Sequence, residues 1–194
     1  MITLPSAQVL ASVGWPLTVW TQARQVTTLL GWSAMSGDEV APNVFFATLR
    51  AAGRDVEAAQ FLGLSLPRYE AVAWAARALA NHLTPEPEDA EAMRAVHDWL
   101  REPSDPLRRA AAATADTIRE ATPAKLCATA VSLSGGSLTP VGDPPIPAPR
   151  HATGILAAAA VLAAAFATAG PEINLAEALD LGAAIAAHST GALS

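Results

Sequence analysis

Apolar positions recur at three- and four-residue intervals along most of this chain, and the intervals break at Pro, Gly or acidic clusters. That pattern predicts a succession of amphipathic helices joined by short turns. In Pro16 to Ser33 the stripe is Val19, Ala23, Val26 and Leu30, with Gly31 near its end, which predicts one helix there. A second is expected to begin after Ser36 to Asp38 or at Pro42, carrying Val44, Phe45, Phe46, Ala47 and Leu49 up to Gly53. Arg54 to Leu64 places Val56, Ala59, Phe61 and Leu62 near one stripe and closes a short helical hairpin. From Pro67 the run PRYEAVAWAARALANHL carries Val72, Ala76, Leu79 and Leu83 on one face, with Glu70 near the positive end and His82 near the negative end.

The stretch Ala95 to Asp116, AVHDWLREPSDPLRRAAAATAD, spells two helices and the turn between them. Glu86, Glu88, Asp89 and Glu91 suit the start of the first, Glu102 and Pro103 stop it, Ser104 or Asp105 caps the second, and Pro106 fits its first turn. The Asp-Pro-Arg-Arg order is explained by capping and stacking. Thr122 and Pro123 repeat the cap-then-Pro signal and start a short helix, PAKLCATAVSLS. Ser134 to Pro149, SGGSLTPVGDPPIPAP, cannot continue it and reads as a long loop, of the kind that is often functional. The glycine pair lets the chain turn sharply while Leu138 supplies an apolar anchor. Ala152 to Ala169 and Asn174 to His188 follow as Ala-rich helices, split by Gly170 and Pro171. Their near absence of charge predicts that both are largely enclosed by other helices or by another subunit.

Composition agrees with this pattern. Ala, the best helix former, fills about a quarter of the 194 residues. We therefore expect an all-α fold: one domain over residues 1–194, a bundle of about seven to nine helices in antiparallel hairpins, with the loop at 134–149. A formal net charge of −6 and the absence of a basic run exclude the electrostatic footprint of a nucleic-acid binder. The run Ile155 to Ala169 is too short to span a bilayer, so no membrane insertion is expected. The opening residues MITLPSAQVLASVGWPL lack the basic start of an export signal, and the lone Cys127 fits a reducing, cytoplasmic compartment.

Candidate chemistry is sparse. His82, His97, His151 and His188 form no pair at metal-ligand spacing, so no metal or other cofactor is expected. His97 and Asp98 are adjacent and point about 100° apart on a helix. SGGS at 134–137 lacks the GK and Ser/Thr of a phosphate loop. Two spatially assembled sets keep an enzyme reading open: Cys127 with His151, and Glu70, Arg77 and His97. Glu70, Trp74 and Arg77 share one helical face, where an acid and a guanidinium flank an indole; Arg68 and Arg109 are candidates to complete a salt-bridge network. The chain holds five Trp against one Tyr. Core packing is the plain explanation, and Trp15 and Trp20 beside Pro16 are the ones selected for a partner surface. With the loop residues Leu138, Pro145 and Ile146, the candidate partner-contact set is Trp15, Trp20, Glu70, Trp74, Arg77, Leu138, Pro145 and Ile146.

The turn carrying Leu100, Asp105, Pro106, Arg108, Arg109 and Ala111 to Ala113 resembles a single repeat of the HEAT type, with no second copy at the repeat period. The order LPRYEAVAWAARAL, WLREPSDPLRRAAAATAD, a Thr-Pro helix, SGGSL and a Pro-rich loop resembles a family of small bacterial proteins associated with type VI secretion gene clusters. That resemblance covers most residues after Leu49. It implies an accessory or adaptor role toward another bacterial protein, a secretion component or effector, and brings no catalytic residues. The expectation is a non-enzymatic protein-binding chain; an enzyme with an unfamiliar site and a structural homo-oligomer are the alternatives.

Overall fold

The computed structural model describes residues 14–35, 37–82, 87–140 and 142–188, the His82 side chain excepted. Expectations for residues 1–13, Ser36, Leu83, Glu86 and the His82 side chain lie outside it. Among the described residues there are nine helices and no strand beyond one isolated bridge. They are α1 (Ala23–Leu29), α2 (Pro42–Ala51), α3 (Asp55–Ser65), α4 (Arg68–His82), α5 (Pro87–Arg101), α6 (Asp105–Thr117), α7 (Pro123–Ser132), α8 (Ala152–Phe166) and α9 (Pro171–Ala187). The expected all-α class holds.

Start signals act as written in several places. Pro42, Pro106, Pro123 and Pro171 sit in first turns, where the missing N–H has no intrahelical partner to lose. Thr122 Oγ1 accepts the Lys125 N–H at 3.2 Å and caps α7. The same hydroxyl donates to Asp89 Oδ1 at 2.6 Å, tying α7 to the first turn of α5. Gly170 reaches φ 78° between α8 and α9, a left-handed geometry that a side chain would strain.

Several boundaries differ: α7 ends at Ser132 and α8 at Phe166, each earlier than expected, and the first and last helices start elsewhere. The first helix is shorter than its stripe: Val19 lies outside α1 and is exposed. The Gln25 side chain accepts the N–H groups of Thr21 (2.9 Å) and Gln22 (3.0 Å), closing the helix N-terminus there. The last helix begins at Pro171, three residues before the expected Asn174, because Gly170 already turns the chain.

Helix α8 is the centre of the bundle and packs on α3, α4, α7 and α9. Its inner face, Gly154, Ala157, Ala158, Ala160, Val161, Ala164 and Ala165, is buried. Small residues allow that crowding. A Cβ at Gly63 would lie 2.5 Å from the Gly154 carbonyl oxygen, and one at Gly154 would lie 2.4 Å from that of Gly63, so α3 and α8 touch backbone to backbone. Large side chains fill the other gaps: Phe46, Phe61, Leu62, Val72, Trp74, Val96 and Leu179 are fully enclosed. Arg50 ties α2 to α9 through Asp180 (2.9 Å) and reaches Asp55 (3.0 Å) at the start of α3. Helix α8 is enclosed on its inner side, and Ile155 and Phe166 on its outer side are exposed. Among the described residues, no helix is long and apolar enough to cross a membrane.

Candidate partner-contact site

The long loop after α7 is an ordered element docked on α6. Asp105 is the first residue of α6, and Ser104 before it occupies the cap position without a side-chain bond. The Asp105 carboxylate turns along the helix instead. It takes Arg108 Nε and Nη2 on Oδ1 at 2.9 and 2.6 Å, and Arg109 Nε on Oδ2 at 2.7 Å. The i, i+3 and i+4 spacing puts all three side chains on one helical face. The guanidinium of Arg109, then that of Arg108, holds the Asp105 carboxyl below its ordinary range, outweighing partial desolvation.

Both arginines spend their remaining donors on loop carbonyls. Arg108 is buried and reaches Ser132 O at 2.6 Å and Ser137 O at 2.9 Å. Arg109 reaches Thr139 O at 3.0 Å. Arg68, from the start of α4, donates to Ser134 O at 2.9 Å. Gly136 sits at φ +62°, and a Cβ there would lie 2.8 Å from Asp105 Oδ1 and 3.1 Å from Arg108 Nε, so the clamp demands glycine twice over.

Within the loop, Ser137 pairs with Pro147 in an isolated antiparallel bridge, and Leu138 N–H donates to Ile146 O at 2.8 Å. Ile146 N–H donates to Ser137 Oγ at 3.0 Å, and Thr139 Oγ1 donates to Pro144 O at 2.9 Å. The bridge holds Leu138 (45% exposed) and Ile146 (57% exposed) in solvent, with Pro145 exposed beside them. Leu138 is therefore not the anchor expected of it; Ala148, 8% exposed, is the residue this loop buries.

The other candidates divide differently. Trp15 is 7% exposed with its ring 5.1 Å from that of Phe46, and Trp74 is fully buried with Nε1 donating to Ala178 O at 2.7 Å. Neither ring faces solvent, which corrects their selection for a partner surface; both fill gaps between helices. Trp20 is half-buried, and its Nε1 donates to Leu64 O at 2.8 Å, pinning residues 14–22 to the end of α3. Glu70 is half-buried and Arg77 exposed, and among the described residues no ion pair joins them, so the carboxylate–indole–guanidinium face does not assemble. Arg68 and Arg109 join no common salt bridge; both serve loop carbonyls.

Among the described residues, no hydrogen bond or ion pair joins Cys127 to His151, or Glu70, Arg77 and His97 to one another. Cys127 is fully buried in α7, where desolvation pushes its thiol up to about 12, whereas His151 is exposed at the start of α8. A buried thiol of that pKa is not a nucleophile near neutrality. His97 is exposed on α5, and the neighbouring Asp98 pairs with Arg101 at 3.0 Å instead. Among the described residues, no group of three His, Cys, Asp or Glu side chains could hold a metal ion.

Sequence reasoning missed Asp105, Arg108, Arg109 and Arg68 as the residues that orient the loop. Their signal was an acid followed by two arginines one helical turn later, ahead of a Pro-rich loop whose carbonyls have no helix to satisfy them.

Fold and site together define an all-helical protein that carries one ordered, arginine-clamped loop with an apolar tip. Residues 45–186 match the model described as "Family of unknown function (DUF6931)", and the chain belongs to that family. The match brings no link to HEAT repeats or to type VI secretion. No curated protein and no solved structure matches the chain.

Proposed function

We propose that this chain is a non-enzymatic protein-binding accessory whose contact element is the loop at 134–149. One observation carries the reading: Leu138 and Ile146 are exposed apolar side chains on a loop held by buried and half-buried arginines. Exposed apolar groups on a preorganised scaffold suit recognition, because little ordering entropy remains to be lost on binding. The partner fitting this tip is a protein with a small apolar pocket, since the tip offers two aliphatic side chains and prolines with little charge. The segment-order resemblance supports a partner among bacterial secretion components or effectors, including those of type VI clusters.

Co-purification from the native host, with quantitative mass spectrometry, compares the wild type with the double variant Leu138→Ser, Ile146→Ser. Both side chains are exposed, so the variant keeps its fold. A partner retained by the wild type should bind the variant at least about tenfold more weakly when both are purified, a loss of about 1.4 kcal/mol. Equal capture by both proteins, or no reproducible partner, would refute the proposal.

A further inference from the structure

The segment Asp143 to Pro149, DPPIPAP, carries a conformational bias of its own inside the contact loop. Pro144, Pro145, Pro147 and Pro149 fix φ at about −65°, and Asp143, Pro144, Ile146 and Ala148, each preceding a proline, are driven to extended backbone. Every residue of the segment is thereby constrained toward polyproline II, an extended left-handed helix of about three residues per turn and about 3.1 Å rise per residue. That repeat sorts the segment into three edges. Pro145 and Ala148 share one, and Ala148 is the residue this loop buries, so that edge turns toward the bundle. The other two, Pro144 with Pro147 and Ile146 with Pro149, are exposed at both positions. Main-chain bonding leaves acceptors on the segment: Ile146 bonds to Ser137 and Leu138, but among the described residues no hydrogen bond takes the Pro145 or Pro147 carbonyl oxygen.

With the loop as the contact element, on which this rests, we infer that the segment is a polyproline II ligand and that its partner is a protein reading it with a groove lined by Trp or Tyr side chains. Each exposed edge offers two apolar groups about 9 Å apart, a spacing that adjoining aromatic walls can straddle. Indole N–H and phenol O–H groups need acceptors when buried, and the Pro145 and Pro147 carbonyls supply them. Charge sets the direction of docking. Exposed Asp143 stands at one end and exposed Arg150 lies just beyond the other, and among the described residues neither joins an ion pair. A groove with a carboxylate at the Arg150 end therefore takes the segment one way round. The prolines and the arginine clamp both act before binding, so little ordering entropy is left to lose. An apolar pocket that took Leu138 and Ile146 alone would make no use of the proline edges or of Arg150.

The test uses the full chain, the partner recovered by co-purification, and a decaproline peptide as probe. The purified partner should bind decaproline with a shift in its own Trp or Tyr emission. Excess decaproline should displace it from the immobilised wild type, and a Gly-Ser peptide of equal length should not. Pro144→Ala with Pro147→Ala removes one exposed edge and leaves Leu138 and Ile146 in place; it should weaken binding at least about fivefold, with circular dichroism and the protection of the Leu138 amide unchanged. Arg150→Glu should weaken binding several-fold at low salt and less at high salt. Decaproline without effect, a double proline variant that binds like the wild type, or Arg150→Glu without effect at low salt would each overturn the inference. If the Leu138→Ser, Ile146→Ser variant loses the partner in that same assay, the contact loop stands and only the groove chemistry falls; the absence of any reproducible partner would overturn both.

Discussion

Replacing Arg108 by Met keeps most of the side-chain stem and removes the donors that join α6 to the loop. Two losses follow directly: the bonds to Ser132 O at 2.6 Å and Ser137 O at 2.9 Å, both made by a guanidinium only 6% exposed. Hydrogen bonds to charged groups contribute roughly 1.5–3 kcal/mol each, and the Ser132 carbonyl, on a buried residue, adds desolvation cost when it loses its guanidinium donor, whereas Ser137 O keeps Arg109 Nη2 at 3.5 Å. Water admitted beside half-exposed Asp105 recovers part of this, so the expected loss is about 2–4 kcal/mol out of a total stability of order 5–15. Arg109 is the control: its side chain is 32% exposed, water can replace its bond to Thr139 O, and Arg109→Met should cost under about 1 kcal/mol. Urea unfolding measures both variants, and hydrogen exchange at 134–149 reports whether the loop has loosened. The reasoning fails if Arg108→Met costs no more than Arg109→Met, or if loop protection is unchanged.

Gly154→Ala presses a Cβ to 2.4 Å from the Gly63 carbonyl oxygen, so α3 and α8 must separate; unfolding should show roughly 1–3 kcal/mol lost, and a neutral result would refute the backbone contact. Gly136→Ala combines φ +62° with a clash against Asp105 and should cost roughly 1–3 kcal/mol, with faster proteolytic nicking in the loop. Burial pushes the Asp38 carboxyl up, but the Met35 N–H and the Arg24 guanidinium outweigh it and leave it below its ordinary value of 3.8. As pH falls the unfolded chain therefore takes up this proton first, so the stability Asp38 contributes is full above its unfolded pKa and is lost as pH drops through the lower folded one. Thermal midpoints at neutral pH and near pH 3 should consequently differ less for Asp38→Asn than for the wild type, and an equal difference would remove Asp38 as a source of acid sensitivity. Native Cys127, buried with its thiol pushed up to about 12, should resist iodoacetamide near neutral pH and react once denatured; prompt native alkylation would place it at the surface.

Much of the helical order is legible because Pro and Thr mark starts that the backbone then uses, as at Pro42, Thr122 and Pro123. The misreadings share a physical origin: spacing reports which face a side chain occupies, not what lies opposite. Val19 fits the stripe of α1 in register, yet the Gln25 side chain closes that helix three residues after it, an interaction periodicity does not encode. Trp15 and Trp20 look alike in sequence, but one ring is buried against Phe46 and the other is tied to the Leu64 carbonyl. In α8 the alanines erase the polar side that would announce an open face, so a helix enclosed on one side reads the same as one enclosed on both.

The clamp was harder to read because its acceptors are main-chain carbonyls, which every residue possesses. Asp105, Arg108 and Arg109 look like an ordinary i, i+3, i+4 surface network until Ser132, Ser137 and Thr139 come within reach. This dependence runs from helix to loop. Between its facing segments the loop holds one isolated bridge and a short set of internal bonds, too few to fix a hairpin in water. The direction in which Leu138 and Ile146 point is therefore set by α6 and α4 through their arginines. A substitution at Arg108, remote from the tip, should weaken partner binding without altering any residue the partner touches.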